Sequence, residues 1–247
     1  MINKLRSILI RLVQYLITLL IPPLLVLISA RLAMTERWLD YEYNRDGFPE
    51  DVYGWDEEVR RDYGPYGIRY LIENRDISYL ADLEIDGDPA FNERELSHME
   101  DVQRVTYAAF QVMTIGLILL VGLSLLLIPW YPTRAHLALA IRNGGLLTLG
   151  LAVLLLIIAF VSWDFFFDGF HALFFETGSW KFYTSDTLIR LYPERFWFDS
   201  AFLVGGLTLS GAILCVLLPR SVGWLLRKRS VRPAGWQYGG LKKSRWR

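Results

Sequence analysis

Three histidines and one cysteine are spread over 247 residues, so acid–base chemistry near neutral pH has few addresses in this chain. His171 stands in Phe-His-Ala-Leu-Phe-Phe (Phe170–Phe175), a titratable ring in aromatic surroundings between two long apolar runs. His98 precedes Asp101 by three positions. On a helix that spacing puts both side chains on one face, where a carboxylate can hold an imidazole in one tautomer. An ordinary solvated helix turn is the plainer reading of the same spacing. Asp168 reads as the N-cap of a short helix with His171 in its first turn and Gly178 beyond its end. The positive end of that helix favours a neutral imidazole, the form a general base requires. Here the plainer reading is an interfacial anchor with His171 facing water. His136, beside Arg134, reads as a polar loop residue.

Other chemistries lack their marks. There is no His-Glu-x-x-His, and two histidines with Asp101, Asp168 or Glu176 make a thin ligand set for zinc, so no metal site is expected. No Gly-x-Ser-x-Gly elbow, phosphate loop or dinucleotide fingerprint occurs. Cys215 falls inside an apolar run, which leaves no disulfide framework and suits a small buried side chain.

The elements that must position the histidines are membrane helices. Hydrophobic residues make up 53% of the chain, and they gather into four blocks near Ile8–Ala33, Val105–Pro129, Gly144–Val161 and Ala201–Pro219. Each approaches the twenty or so residues that cross a hydrocarbon core about 30 Å thick. The expected division is a first span over 1–34, a cap over 35–104, a second span over 105–130 and a loop over 131–143. A third span over 144–162, an aromatic interfacial segment over 163–199, a fourth span over 200–219 and a basic tail over 220–247 follow. The first block begins with basic residues but is too long, and lacks the small-residue site, for a cleaved signal. Pro22 and Pro23 should kink it. In 163–199, Leu-Tyr-Pro-Glu-Arg-Phe-Trp (Leu191–Trp197) has the composition of a bilayer surface, where Trp and Tyr sit at headgroup level.

Net charge is zero, yet the charges are segregated: 35–104 holds 20 acidic and 8 basic residues, whereas the chain beyond Pro219 holds nine Lys/Arg and no acid. Arg134 and Arg142 lie in the short connection, and Lys4, Arg6 and Arg11 near the N-terminus. The positive-inside rule then puts both termini in the cytoplasm and the two segments with His98 and His171 outside. His136 falls on the opposite side. The basic tail is explained by topology and anionic lipids rather than by nucleic acid.

Within the cap, Ala81-Asp-Leu-Glu-Ile85 alternates in polarity and Asp86-Gly87 is a turn dipeptide, predicting a hairpin into Pro89-Ala-Phe91. Pro89 confines its strand to an edge. Asn92 with Glu95 forms a capping-box pattern, predicting a helix that carries His98 and Asp101 into the second span. The fold class is therefore an all-α membrane protein, four transmembrane helices with a small extracytoplasmic α+β cap and an interfacial aromatic helix or loop.

Glu-x-x-His-x-x-Asp-Val (Glu95, His98, Asp101, Val102), Phe-His-x-x-Phe-Phe (Phe170–Phe175), Trp180 and Leu-Tyr-Pro-Glu-x-Phe-Trp, set among four spans, resemble the bacterial lipoprotein intramolecular transacylase family. The resemblance covers roughly residues 5–220; it is loose between Thr35 and Asn92, and the tail lies outside it. It implies an acyltransferase of the bacterial plasma membrane that needs no cofactor. Its substrate would be a diacylglyceryl lipoprotein among membrane lipids, whose sn-2 acyl chain moves from the S-diacylglyceryl cysteine to the cysteine's α-amino group. It also implies that His98 and His171 are the catalytic pair. We assign His171 as base and proton shuttle and His98, oriented by Asp101, as the group that polarises the ester carbonyl, although the roles can be exchanged. Asp168, Trp180, Tyr192 and Arg195 are candidate supporting residues. The competing readings are a metal-dependent membrane lipid hydrolase and a non-enzymatic interaction module with an acidic cap.

Overall fold

A computed structural model describes residues 2–128 and 131–230. Four long helices carry the apolar blocks: α1 (Ile2–Ala33), α5 (Glu93–Leu127), α6 (Tyr131–Val161) and α9 (Glu194–Ser230). Shorter elements lie between them, namely α2 (Glu36–Tyr43), α3 (Glu57–Ile72), α4 (Ser78–Ala81), β1 (Glu84–Ile85), β2 (Asp88–Pro89), α7 (Trp163–Ala172) and α8 (Thr187–Leu191). Residues 231–247, which include much of the basic tail, lie outside the described residues.

In the bundle α6 packs against both α1 and α9, and α1 also touches α5 and α9. Glycine permits the closest of these approaches. A Cβ on Gly144 would meet Ile21 Cβ at 2.7 Å, and one on Gly145 would meet the Ala212 carbonyl oxygen at 2.7 Å. The same device brings membrane helices together wherever lipid offers no hydrophobic drive for association. Polar links join the helices as well: the Thr18 hydroxyl donates to the Ala140 carbonyl at 3.3 Å, and His136 Nδ1 lies 2.6 Å from Gln14 Oε1. The outer faces carry bare leucine, isoleucine and valine, such as Ile118 and Leu126, a surface suited to lipid and costly in water. Half-buried Cys215 packs against Gly145.

Two boundaries differ from expectation. Residues 131–143 continue α6 as helix instead of forming a loop, because Arg134, His136, Arg142 and Asn143 break the hydropathy without breaking the backbone. The last helix starts at Glu194 and runs through Pro219 to Ser230. Helix α1 runs as one element through Pro22 and Pro23.

The cap has its own core, in which Leu39, Ile68, Leu80, Phe91, Leu191 and Phe196 are buried together from α2, α3, α4, the link between β2 and α5, α8 and the start of α9. Thr35 and Asp56 cap α2 and α3 through their side chains. The hairpin forms as the turn dipeptide predicts, with Glu84 opposite Pro89 and Ile85 opposite Asp88. Positive φ at both Asp86 and Gly87 matches the twist of a tight two-residue turn. The Asn92–Glu95 capping box is present, and buried Glu95 also accepts the Leu188 amide through Oε1 at 2.7 Å. One side chain thereby fixes the start of α5 against α8.

The 35 residues of α5 extend about 50 Å at 1.5 Å per residue, well beyond a hydrocarbon core of about 30 Å. Its charged first three turns, up to Arg104, therefore stand in the cap, and the spanning part follows. The Leu191–Trp197 motif is not a surface loop: Tyr192 and Phe196 are enclosed in the cap core. Aromatic-rich sequence suits a bilayer interface and a protein core equally, so composition cannot separate them. The exposed aromatic face is instead on and just after α7, at Phe165, Phe170 and Phe174.

Candidate active site

His98 sits in the second turn of α5 and His171 in the last turn of α7. The two imidazoles face each other with ring centroids 6.5 Å apart and planes inclined by 26°. Phe175 and Phe182 meet His98 edge-on, with centroids at 5.1 and 5.3 Å. Phe167, Trp180 and Phe175 surround His171 at 4.0, 5.5 and 5.7 Å, the Trp180 ring lying nearly parallel to it. The pair therefore occupies an aromatic cage.

That cage sets the charge state. Burial disfavours imidazolium and pushes the His98 pKa down to about 4, helped by neighbouring His171 and opposed by the charge of Asp101. Burial also lowers the His171 pKa, against the Phe167 carbonyl and Asp168, which favour the cation. Both rings are neutral at pH 7. His171 Nδ1 lies 2.8 Å from the Phe167 carbonyl oxygen. A carbonyl only accepts, so Nδ1 carries the proton and Nε2 holds the free lone pair. His98 Nδ1 is buried with no hydrogen-bond partner.

Several supporting residues stand elsewhere than the sequence suggests. Asp101 does not orient His98; its Oδ1 accepts from Arg104 Nη1 at 2.7 Å, since a residue three positions away on either side competes for the same carboxylate. Asp168 is not an N-cap. The helix begins at Trp163 after Ser162, so Asp168 lies mid-helix and His171 at its C-terminal end, where the macrodipole favours the cation. Neutrality of His171 thus comes from burial rather than from a helix N-terminus. Asp168 accepts from Trp180 Nε1 at 3.1 Å and from Lys181 Nζ at 2.9 Å, and so holds the indole that stacks on His171. Tyr192 donates to the Gly64 carbonyl inside the cap core. Arg195 Nε bonds Asp199 Oδ2 at 2.5 Å, and Asp199 also pairs with Arg45 at 2.8 Å. Neither Tyr192 nor Arg195 bonds to or stacks on either imidazole. Phe167, Phe175 and Phe182 also line the site, beyond the candidate residues that the sequence singles out. The spacing of four from Phe167 to His171 and from His171 to Phe175 signals the first two, whereas Phe182 has no local signal. Among the described residues, no three His, Cys, Asp or Glu side chains converge to hold a metal ion.

The fold and this site define a multi-pass membrane protein with a neutral imidazole pair at the foot of a folded cap. A chain from Aquifex aeolicus, described only as uncharacterized, is 31% identical over 210 residues, which is 83% of this chain and 91% of that one. The crystal structure of the lipoprotein intramolecular transacylase Lit from Bacillus cereus matches with a TM-score of 0.75 at 21% identity, covering 90% of this chain and 99% of its own. A histidine-to-alanine variant of that protein matches with a TM-score of 0.69 at 20% identity, covering 92% and 100%. At such identity these two likenesses concern the fold. The model of the lipoprotein intramolecular transacylase family matches residues 15–197, and the chain belongs to that family of membrane acyltransferases.

Proposed function

We propose that this protein converts an S-diacylglyceryl cysteine lipoprotein into its N-acyl, monoacylglyceryl isomer. The α-amino group attacks the sn-2 ester carbonyl, the new N–C bond forms, the ester C–O bond breaks, and the proton lost by nitrogen ends on the glyceryl oxygen. The observation that carries this reading is the neutral imidazole pair with its tautomer set on His171. His171 Nε2 takes the amine proton and returns it to the departing alkoxide, a role worth about 10²–10⁴-fold. His98, across the 6.5 Å gap, assists at the carbonyl oxygen or in the shuttle. Donor and acceptor share one molecule, so holding both ends supplies much of the remaining acceleration. The acyl chains arrive from the bilayer over the exposed Phe170 and Phe174.

The segregation of charge supports termini in the cytoplasm and a cap and site on the outer face. Expression in a bacterium lacking its N-acylating enzyme, followed by tandem mass spectrometry of a lipoprotein's N-terminal peptide, tests the reading. The expected product has an acylated α-amino group, one acyl chain on glycerol and unchanged total mass. It should vanish in His98→Ala and His171→Ala and persist in His136→Ala. An unmodified amine beside well-expressed protein refutes the reading, and loss of one chain indicates hydrolysis.

A further inference from the structure

Behind the aromatic wall of the imidazole pair lies a second space. A cavity of about 700 Å³ is bounded by Phe167, Trp180 and Phe182 on the histidine side and by the cap segment 49–53, Arg60 and the first turn of α9 opposite. Its size falls within the range of ligand sites.

Arg60 is the unusual group there. It is only 6% exposed, donates through Nε to the Arg190 carbonyl at 2.9 Å and through Nη1 to the Pro49 carbonyl at 2.6 Å, and forms no ion pair among the described residues. Its guanidinium also lies over the Tyr43 and Phe48 rings, at 6.0 and 5.4 Å from their centroids. A guanidinium carries five N–H donors and these two carbonyls do not use them all, so Arg60 can still donate to an acceptor that enters the cavity it lines. The other cations of the lining are already neutralised: Arg190 by a bidentate pair with Asp51 at 2.9 Å, and Lys181 by Asp168. Exposed Glu50, Asp164 and Glu194 complete the rim from three different elements and have no partner among the described residues.

An occupant that offers an acceptor to Arg60 and donors or positive charge to the rim carboxylates fits this lining. Five carboxylates against three cations in the lining oppose an anion such as phosphate. A polypeptide satisfies both demands, since its backbone alternates carbonyl and N–H groups. On the transacylase reading, we propose that this cavity binds the peptide residues immediately after the acylated cysteine, with a preference for basic side chains among them. A cysteine at the imidazoles then has its downstream chain one aromatic wall away, along Trp180 and Phe182.

The test uses purified full-length protein in a neutral detergent with three synthetic S-diacylglyceryl substrates: cysteine amide, a pentapeptide with lysine at positions 3 and 4, and one with aspartate there. Conversion is followed by mass spectrometry. The lysine peptide should exceed the aspartate peptide in kcat/KM by roughly three- to tenfold, the scale of a few solvent-exposed ion pairs. The double variant Asp164→Asn, Glu194→Gln, which leaves Glu50 as the one unpaired carboxylate of that rim among the described residues, should bring that ratio clearly toward one while eluting as a folded protein. Equal conversion of both peptides by the unaltered protein, or a ratio that the double variant leaves in place, overturns the subsite and leaves the transacylase intact. Competitive inhibition by inorganic phosphate without peptide discrimination overturns it in favour of an anion site. Conversion of none of the three substrates overturns the transacylase reading itself.

Discussion

If burial keeps His98 neutral, removing a ring that covers it restores its basicity. Phe175 is the ring to remove, because it contacts both imidazoles, at 5.1 Å from His98 and 5.7 Å from His171. An imidazole with the ordinary pKa near 6.5 is only about 3% neutral at pH 5, whereas one lowered to about 4 is roughly nine-tenths neutral. The competent fraction at pH 5 thus differs by up to about thirtyfold. The substrate's α-amine, with a pKa of about 8, loses its neutral form tenfold per pH unit over the same range. In the unaltered protein log kcat/KM should therefore fall with a slope near one through pH 6.5, with no break there, because burial holds both imidazoles below the ordinary value. In Phe175→Ala water reaches the rings, and the slope should steepen toward two below about pH 6.5. Truncating a half-buried phenylalanine costs about 1–3 kcal/mol of stability, less than a fully buried one. The shape of the profile is insensitive to the amount of active protein. The assay is mass-spectrometric conversion of a diacylglyceryl lipopeptide in buffers of constant ionic strength. A break near 6.5 in the unaltered protein, or an identical profile in the variant, refutes burial as the cause.

Asp101→Asn should change kcat/KM by less than about threefold, since Asp101 serves a partly exposed ion pair with Arg104; a loss of a hundredfold would restore it as a partner of His98. Asp168→Asn removes the Lys181 pair and weakens the hold on Trp180, so kcat should fall roughly three- to tenfold with little change in KM. It also removes a charge that favours His171 imidazolium, so any acid limb from His171 should move to lower pH, never higher. Gly67→Ala would push a methyl group into the enclosed Tyr192 ring, whose Cζ lies 3.2 Å from the added carbon. Thermal unfolding in detergent should show a loss of about 1–3 kcal/mol.

Fold and site differ in how much of them a sequence can carry. Membrane spans are written locally, because each must satisfy its own backbone hydrogen bonds and present about twenty apolar residues to lipid. The Asn92–Glu95 capping box and the Asp86-Gly87 turn are equally local, and both stand as the sequence implies. The juxtaposition of His98 and His171 came through a family pattern and shared depth, not through any contact that spacing could specify. Partners of charged groups were less legible. Three-residue spacing lets Asp101 reach either His98 or Arg104, and only the burial of His98 beneath Phe175 and Phe182 separates the outcomes.

The sequence by itself determined the number of spans, the acidic cap, the capping box and the aromatic setting of His171. Tertiary structure alone decided that Tyr192 and Arg195 serve the cap rather than the imidazoles, that Asp168 holds Trp180, and that both imidazoles are neutral. The physical reason is that hydropathy and capping act over one helix turn. Desolvation depends on every atom that closes around a group, and those atoms come from segments up to about eighty residues apart, such as His98 and Phe182.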